Sequence, residues 1–235
     1  MCKNPNPCFV AMAFVFISCA VFGGEPKSAA STFRLDSLSG LEIVNIKAEV
    51  AEYHGRQAVH LIRRADQPMV STPDMEDSLA LVNGTDFKDG TIEAEVVGMP
   101  AVGAPADARG FVGIAFRVEG RGAKYECFYL RPTNGRADDQ LRRNHSVQYV
   151  SAPGFPWFKL RKENPGMYES YADMEAGEWT KIKIEVAGAK AKLYVNGAAQ
   201  PCLIVNDLKQ GDSHGRIALW TTLETDGYFS NLTVQ

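Results

Sequence analysis

From about Phe33 onward, apolar and polar residues alternate with a period of two along most of the chain. In DGTIEAEVVGM, Ile92, Ala94 and Val96 alternate with Thr91, Glu93 and Glu95, the pattern of a strand with one face in a core and the other in water. In WTKIKIEV, Ile182, Ile184 and Val186 alternate with Lys181, Lys183 and Glu185. The following AKLYVNG puts Leu193 and Val195 on one face and ends in Asn196-Gly197, a dipeptide suited to a tight turn. With the short AGAK between them, the two runs predict a hairpin. The runs LEIVNIKAEVA, RQAVHLI, LALV, GFVGIAFRV, AKYECFYLR, HSVQYV, PCLIV, GRIALWTT and YFSNLTV have the same character. Turn signals separate them, among them His54-Gly55, Asn83-Gly84, Asp89-Gly90, Glu119-Gly120 and Asp226-Gly227. No stretch carries a helical period. Many short strands without crossover helices predict an antiparallel sandwich or barrel.

One segment departs from this rhythm. Between Arg131 and Gly177 only HSVQYV is strand-like, while Asn134, Asp138, Asp139, Arg142, Arg143, Phe155, Trp157, Tyr168 and Tyr171 crowd the connection. A long connection rich in aromatic and charged residues either contacts a ligand or packs as a lid over one end of the sheet.

The N-terminus changes the picture in another way. A single basic residue, Lys3, precedes the apolar run FVAMAFVFISCAVFGG, and the chain turns polar at Glu25. That order predicts a signal peptide over residues 1–24, a short linker over 25–32 and one domain over 33–235. Cleavage after Gly23 or after Ala30 would place the mature start between Gly24 and Ser31. A second reading makes Cys19 the lipidated residue of a lipoprotein signal. The protein is thus expected to be exported, whether periplasmic, extracellular or lipid-anchored, with no transmembrane segment after signal removal. Cys127 and Cys202 remain in the mature chain, either as one disulfide or as two buried thiols. A formal net charge of −3 with no basic cluster argues against nucleic acid and anionic membrane as partners.

The run GEWTKIKIEVAGAKAKLYVNG resembles the W-x-x-(I/V) strand, turn and L-Y-V-N-G strand of the concanavalin A-like lectin and glucanase superfamily, including its laminin-G-like modules. DFKDGTIEAEV, GRIALW and YFSNLTV fit the same order. The resemblance implies an all-β jelly-roll sandwich of two antiparallel sheets. Within that superfamily the chain also resembles the bacterial exported domains called 3-keto-disaccharide hydrolase, or domain of unknown function 1080. It does so through Gly113-Ile114-Ala115-Phe116-Arg117, Tyr125-Glu126, Gly177-Glu178-Trp179, Asn196-Gly197, Gly215-Arg216-Ile217-Ala218-Leu219 and Phe229-Ser230-Asn231-Leu232. Phe128 and Trp220 stand where those domains usually carry Gln. Amide hydrogen bonding there gives way to aromatic stacking, which suits the apolar face of a sugar ring.

Carbohydrate is accordingly the expected partner. In GFVGIAFRV, Val112, Ile114, Phe116 and Val118 form the core set, which puts Arg117 on the opposite face. The same parity puts Trp220 opposite Ile217 and Leu219, so Arg117 and Trp220 are expected to share one sugar-facing surface. In YECFYLRP, either Glu126, Phe128 and Leu130, or Tyr125, Cys127, Tyr129 and Arg131, face the ligand. Trp157 joins the candidate binding residues from the long connection. The E-x-D-x-x-E strand motif of superfamily glucanases is absent; Glu126 is the first candidate for a catalytic carboxylate, with Asp138 or Asp139 behind it. The scattered histidines His54, His60, His145 and His214 have no ligand spacing, and no metal ligands are assigned. Calcium, through Asp207 and Asp212, is the one cofactor left open. The functions compatible with this pattern are a glycan-binding module, a glycoside hydrolase of the 3-keto-disaccharide hydrolase type, and a non-sugar cell-surface interaction module.

Overall fold

The computed structural model describes residues 1–2, 30–70 and 77–235. The expected export segment beyond Cys2, Cys19 included, lies outside the described residues. In chain order the strands are β1 (Ser31–Phe33), β2 (Leu41–Val44), β3 (Lys47–Tyr53), β4 (Arg56–Ile62), β5 (Ser78–Phe87), β6 (Gly90–Pro100), β7 (Val112–Glu119) and β8 (Lys124–Leu130). There follow β9 (Val147–Ala152), β10 (Glu169–Ser170), β11 (Thr180–Ala187), β12 (Lys190–Val195), β13 (Leu203–Val205), β14 (Gly215–Thr221) and β15 (Thr225–Val234). The first strand therefore opens inside the expected linker, where Ser31 pairs with Val234.

Two antiparallel sheets face each other. An eight-stranded sheet runs β13-β12-β11-β6-β15-β4-β3, with β1 alongside β15, and a seven-stranded sheet runs β10-β9-β8-β7-β14-β5-β2. The alternation read from the sequence is the alternation of the core. Ile92, Ala94, Val96, Ile182, Ile184, Val186, Leu193 and Val195 meet Ile114, Phe116, Phe128, Leu130, Ile217 and Leu219 from the facing sheet. Each large apolar side chain so buried contributes about 1.5–3 kcal/mol relative to exposure. On the water side, Glu93 pairs with Lys181 at 2.6 Å and Glu95 with Arg56 at 2.6 Å. The β11–β12 hairpin forms as its sequence predicts, and the turn after β12 places Asn196 and Gly197 at φ 51° and 73°, conformations these two residues tolerate best.

The long connection carries three short helices, α1 (Pro132–Gly135), α2 (Gln140–Arg143) and α3 (Trp157–Glu163), around β9 and β10. Leu160, Tyr168 and Met174 from it enter the core, so part of it does close the end of the sandwich. No helix among the described residues is long and apolar enough to cross a membrane. Cys127 and Cys202 are both free thiols, Cys127 buried and Cys202 half-buried.

Candidate functional site

The outer face of the seven-stranded sheet differs from an ordinary solvated face because it holds a second apolar cluster. On β8 the side chains turned outward are Tyr125, Cys127 and Tyr129, while Phe128 and Leu130 turn into the core and Glu126 turns inward beside them. Tyr129 stacks on Trp220 of β14 with ring centroids 4.9 Å apart and planes at 25°, and Phe111 leans on Tyr129 at 5.4 Å. Gly113 lies between them because nothing larger fits. A Cβ there would come within 2.6 Å of the Tyr129 Cβ and would also strike the Phe128 carbonyl oxygen. Trp220 is itself only 6% exposed. Its Nε1 donates no well-formed hydrogen bond, although the indole lies near enough to the Tyr125 hydroxyl to offset slightly the upward pull of burial and Asp77 on that phenol's pKa. The indole is therefore the floor of the cluster and not an open platform.

The ring surface that reaches solvent is contributed by the long connection. Arg131, just past β8, is 5% exposed; it donates to the His145 carbonyl at 3.1 Å, the Tyr129 hydroxyl at 2.8 Å and Gln148 Oε1 at 3.1 Å. Its guanidinium carbon also lies 5.0 Å from the centre of Tyr129, 5.6 Å from Phe111 and 5.8 Å from Trp157. Pro156 and the start of α3 hold Trp157 over this group, and the indole remains 41% exposed. A second guanidinium, Arg161, lies 4.7 Å from the same indole and grips Glu169 through two nitrogens at 2.6–3.0 Å. Glu169 in turn is 3.3 Å from His145. Burial holds the His145 pKa down against the pull of Glu169. Burial also pushes the Tyr129 hydroxyl up to about 12 and lowers the Arg131 pKa. The hydroxyl thus stays protonated and free to accept from the guanidinium.

Phe111 connects this cluster to a cavity of about 170 Å³ at the same end of the sheet, lined also by Arg109, Asp107, Pro105, Thr222 and Glu224. Aromatic edges, guanidinium donors and small hydroxyls thus converge where β7 begins and where β8 and β14 end. The outer face of the eight-stranded sheet is arranged differently. There the rings of His54, Tyr53, Tyr228 and His60 stack on one another at 4.0–4.3 Å.

The remaining candidates lie elsewhere. Arg117 does not share the face of Trp220. The pairing of β7 with β8 and with β14 slips by one residue around it, and Arg117 occupies this bulge with φ 53°. Its side chain is fully buried at the edge of the sandwich, where it donates to the carbonyls of Lys88, Gly211 and Gly188 and to Asp89 Oδ1 at 2.8–3.1 Å. Glu126 points into the sandwich, accepting from the Tyr149 hydroxyl at 2.5 Å and the Gln210 amide at 2.8 Å. Burial raises its pKa despite these bonds. Phe128 is core, 6.2 Å from Phe116 and 5.5 Å from Tyr149. Asp139 caps α2 by accepting from the Arg142 amide, and Asp138 is exposed. Asp207 is tied to Tyr168 and Lys209, and Asp212 to Lys88. Among the described residues no three His, Cys, Asp or Glu side chains gather as a metal site.

Tyr129, Arg131, Trp157 and Trp220 are thus brought together, and Arg117, Glu126 and Phe128 are not. Phe111, His145, Gln148, Arg161 and Glu169 complete the group, although the sequence does not mark them as site residues. Gln148 is a polar residue between the apolar Val147 and Tyr149 of HSVQYV. Arg161 and Glu169 give no local signal.

The fold is that of the concanavalin A-like jelly rolls. No protein-family model matches the chain, and no curated protein matches it. Among solved structures it is similar to a carbohydrate-binding module of family 66 from Bacillus subtilis, with TM-score 0.53, 15% identity and 83% of this chain covering 96% of that one. It is also similar to a Bacillus subtilis protein of unknown function with a galectin-like fold, with TM-score 0.56, 10% identity and coverage of 89% and 97%. A third is a Bacillus licheniformis β-glucanase, with TM-score 0.50, 10% identity and coverage of 89% and 99%. At such identities the likeness establishes the architecture, and any function has to be argued from the site.

Proposed function

We propose that the chain is an exported carbohydrate-binding protein whose ligand lies across the outer face of β7, β8 and β14 at the Arg131 end. The observation that carries this reading is the half-open Trp157 ring held over a buried guanidinium, beside Phe111 and a cavity of about 170 Å³. A sugar presents an apolar ring face and a rim of hydroxyls, and this arrangement offers an aromatic surface next to directional donors. The carbohydrate-binding module and the β-glucanase that share its architecture carry ligands of that class in their names.

Hydrolysis of the 3-keto-disaccharide type is the weaker reading. Two-carboxylate chemistry needs an acid and a second carboxylate flanking the bond. Glu169 is the acid beside Trp157, and it is already held by Arg161 and His145. Glu126 lies on the other side of the sheet from the aromatic cluster. Binding without chemistry therefore fits the residues better, and better than a non-sugar interaction module, which would call for a broad apolar face.

The test is a glycan array followed by calorimetry on the purified protein. A hit whose affinity falls at least tenfold in Trp157→Ala supports the reading. Hits indifferent to that substitution, or none at all, overturn it. The exported form should begin between Gly24 and Ser31, or at a lipidated Cys19, in N-terminal sequencing; a retained Met1 would remove export from the proposal.

A further inference from the structure

The arginines of this protein are not all balanced alike. Arg117, Arg136, Arg161 and Arg216 each hold a carboxylate. Arg131 is 5% exposed, yet among the described residues no carboxylate lies within ion-pairing distance of it. Its hydrogen-bond partners are a carbonyl, a hydroxyl and an amide oxygen, all neutral, and its Nε donates to none of the described residues. A cation taken out of water is ordinarily compensated by an anion, and neutral oxygens with ring faces do this only in part. The same end of the sheet collects two more arginines, Arg109 and Arg142, that form no ion pair with a carboxylate among the described residues. Their charges disfavour one another: the Arg109 pKa is lowered by burial first and then by Arg142, with Arg131 adding to the effect and Asp107 opposing it. Thr133 Oγ1, whose residue's amide donates to the Arg109 carbonyl, is buried without a partner.

We propose that the glycan taken here is acidic, with a carboxylate or sulfate of the sugar seated against Arg131 and Arg109 beside Phe111. This rests on the carbohydrate reading above and specifies its ligand class. The planar guanidinium fork matches an oxyanion in two-point geometry, and a mobile hydroxyl at Thr133 can turn to donate to it. Asp107 and Glu224 also line the cavity. Their charges disfavour a second anionic group in the cavity, so the rest of the ligand is expected to present neutral hydroxyls.

The experiment is calorimetry of the purified protein with three oligosaccharides of equal length: hexagalacturonate, a sulfated galactan hexasaccharide and a neutral galactan hexasaccharide. The expected result is at least tenfold tighter binding of one of the two acidic ligands than of the neutral one, with affinity falling as sodium chloride rises from 50 to 500 mM. Which acidic ligand binds tells carboxylate from sulfate. Arg109→Gln, at a partly exposed position, should remove at least fivefold of the acidic affinity, a larger factor than any loss of neutral affinity, with the melting temperature unchanged. Arg131→Gln, where it folds, should abolish the preference. Neutral binding as tight as acidic, or no salt dependence, overturns the acidic assignment and leaves the carbohydrate reading standing. Absence of binding by all three, together with an empty glycan array, overturns both.

Discussion

Arg117 and Arg131 belong to the same sheet, at opposite ends of neighbouring strands, and both are buried. Their surroundings differ in kind. Arg117 is encircled by oxygens of the turns that join strands: Lys88 and Asp89 after β5, Gly188 after β11 and Gly211 before β14. Every partner belongs to the frame, so the guanidinium acts as a rivet between the two sheets. Glu126 does the same one strand away, holding the Gln210 amide and the Tyr149 hydroxyl. Arg131 instead meets neutral oxygens and three ring faces, under an indole open to solvent. A buried charge whose partners are three carbonyls and one carboxylate, all from distant turns of the frame, is a structural device. One with no carboxylate in ion-pairing range, beneath an indole that reaches solvent, suits a partner from outside.

This contrast can be broken by substitution. The largest effect is expected at the shared floor. Trp220→Ala should cost about 3–5 kcal/mol, the range for deleting a large buried aromatic, and lower Tm by roughly 10 °C in a chain this size. A Tm within two degrees or so of wild type, less than about 1 kcal/mol, would mean that the indole is an open platform after all. Arg117→Met should cost about 3 kcal/mol, less than a fully buried ion pair because Asp89 is 46% exposed and re-solvates. Glycan affinity of the folded variant should stay at the wild-type value; a loss of affinity without a loss of stability would place Arg117 in the site.

Trp157→Ala should invert that pattern, weakening glycan binding by about 1–3 kcal/mol and stability by less than about 1 kcal/mol, read by calorimetry and thermal melting side by side. The smallest effect concerns Glu126. Its folded-state pKa is raised above 4.5, chiefly by burial. The protonated acid is therefore favoured in the fold, and its contribution is complete below the unfolded value and lost as pH rises through the folded one. The stability of the wild type relative to Glu126→Gln should fall as pH increases from 4.5 upward, with a slope no steeper than about 1.4 kcal/mol per pH unit for one proton. A flat difference would show that the carboxyl titrates as it does in the unfolded chain.

Much of the frame is legible in the order of residues alone. Ile92, Ala94 and Val96 against Glu93 and Glu95, and the hairpin ending at Asn196-Gly197, read correctly because side-chain alternation and turn chemistry are local properties of the backbone. The candidate site is legible only in part. Trp157 and Arg131 stand out by residue type in a long connection. Parity along β8 gives two equal faces, because Glu126, Phe128 and Leu130 are as plausible outward as Tyr125, Cys127 and Tyr129 until a second sheet covers one of them.

Arg117 shows the other limit. Counting alternate residues carries it to the face of Trp220, but one extra residue in β7 relative to both neighbours turns it sideways into the edge of the sandwich. A bulge is a property of three strands in register, and β7 by itself carries no mark of it. The residues brought to Trp157 make the same point, since Arg161 and Glu169 come together across the turn between α3 and β10 and meet His145 only because β9 and β10 pair. The sequence by itself determined the strands, their core faces and their turns, since those follow from periods of two residues and from the φ preferences of Asn and Gly. Which buried charge would be a rivet and which a site was decided by tertiary structure alone, because the answer depends on oxygens contributed by turns up to 94 residues away along the chain.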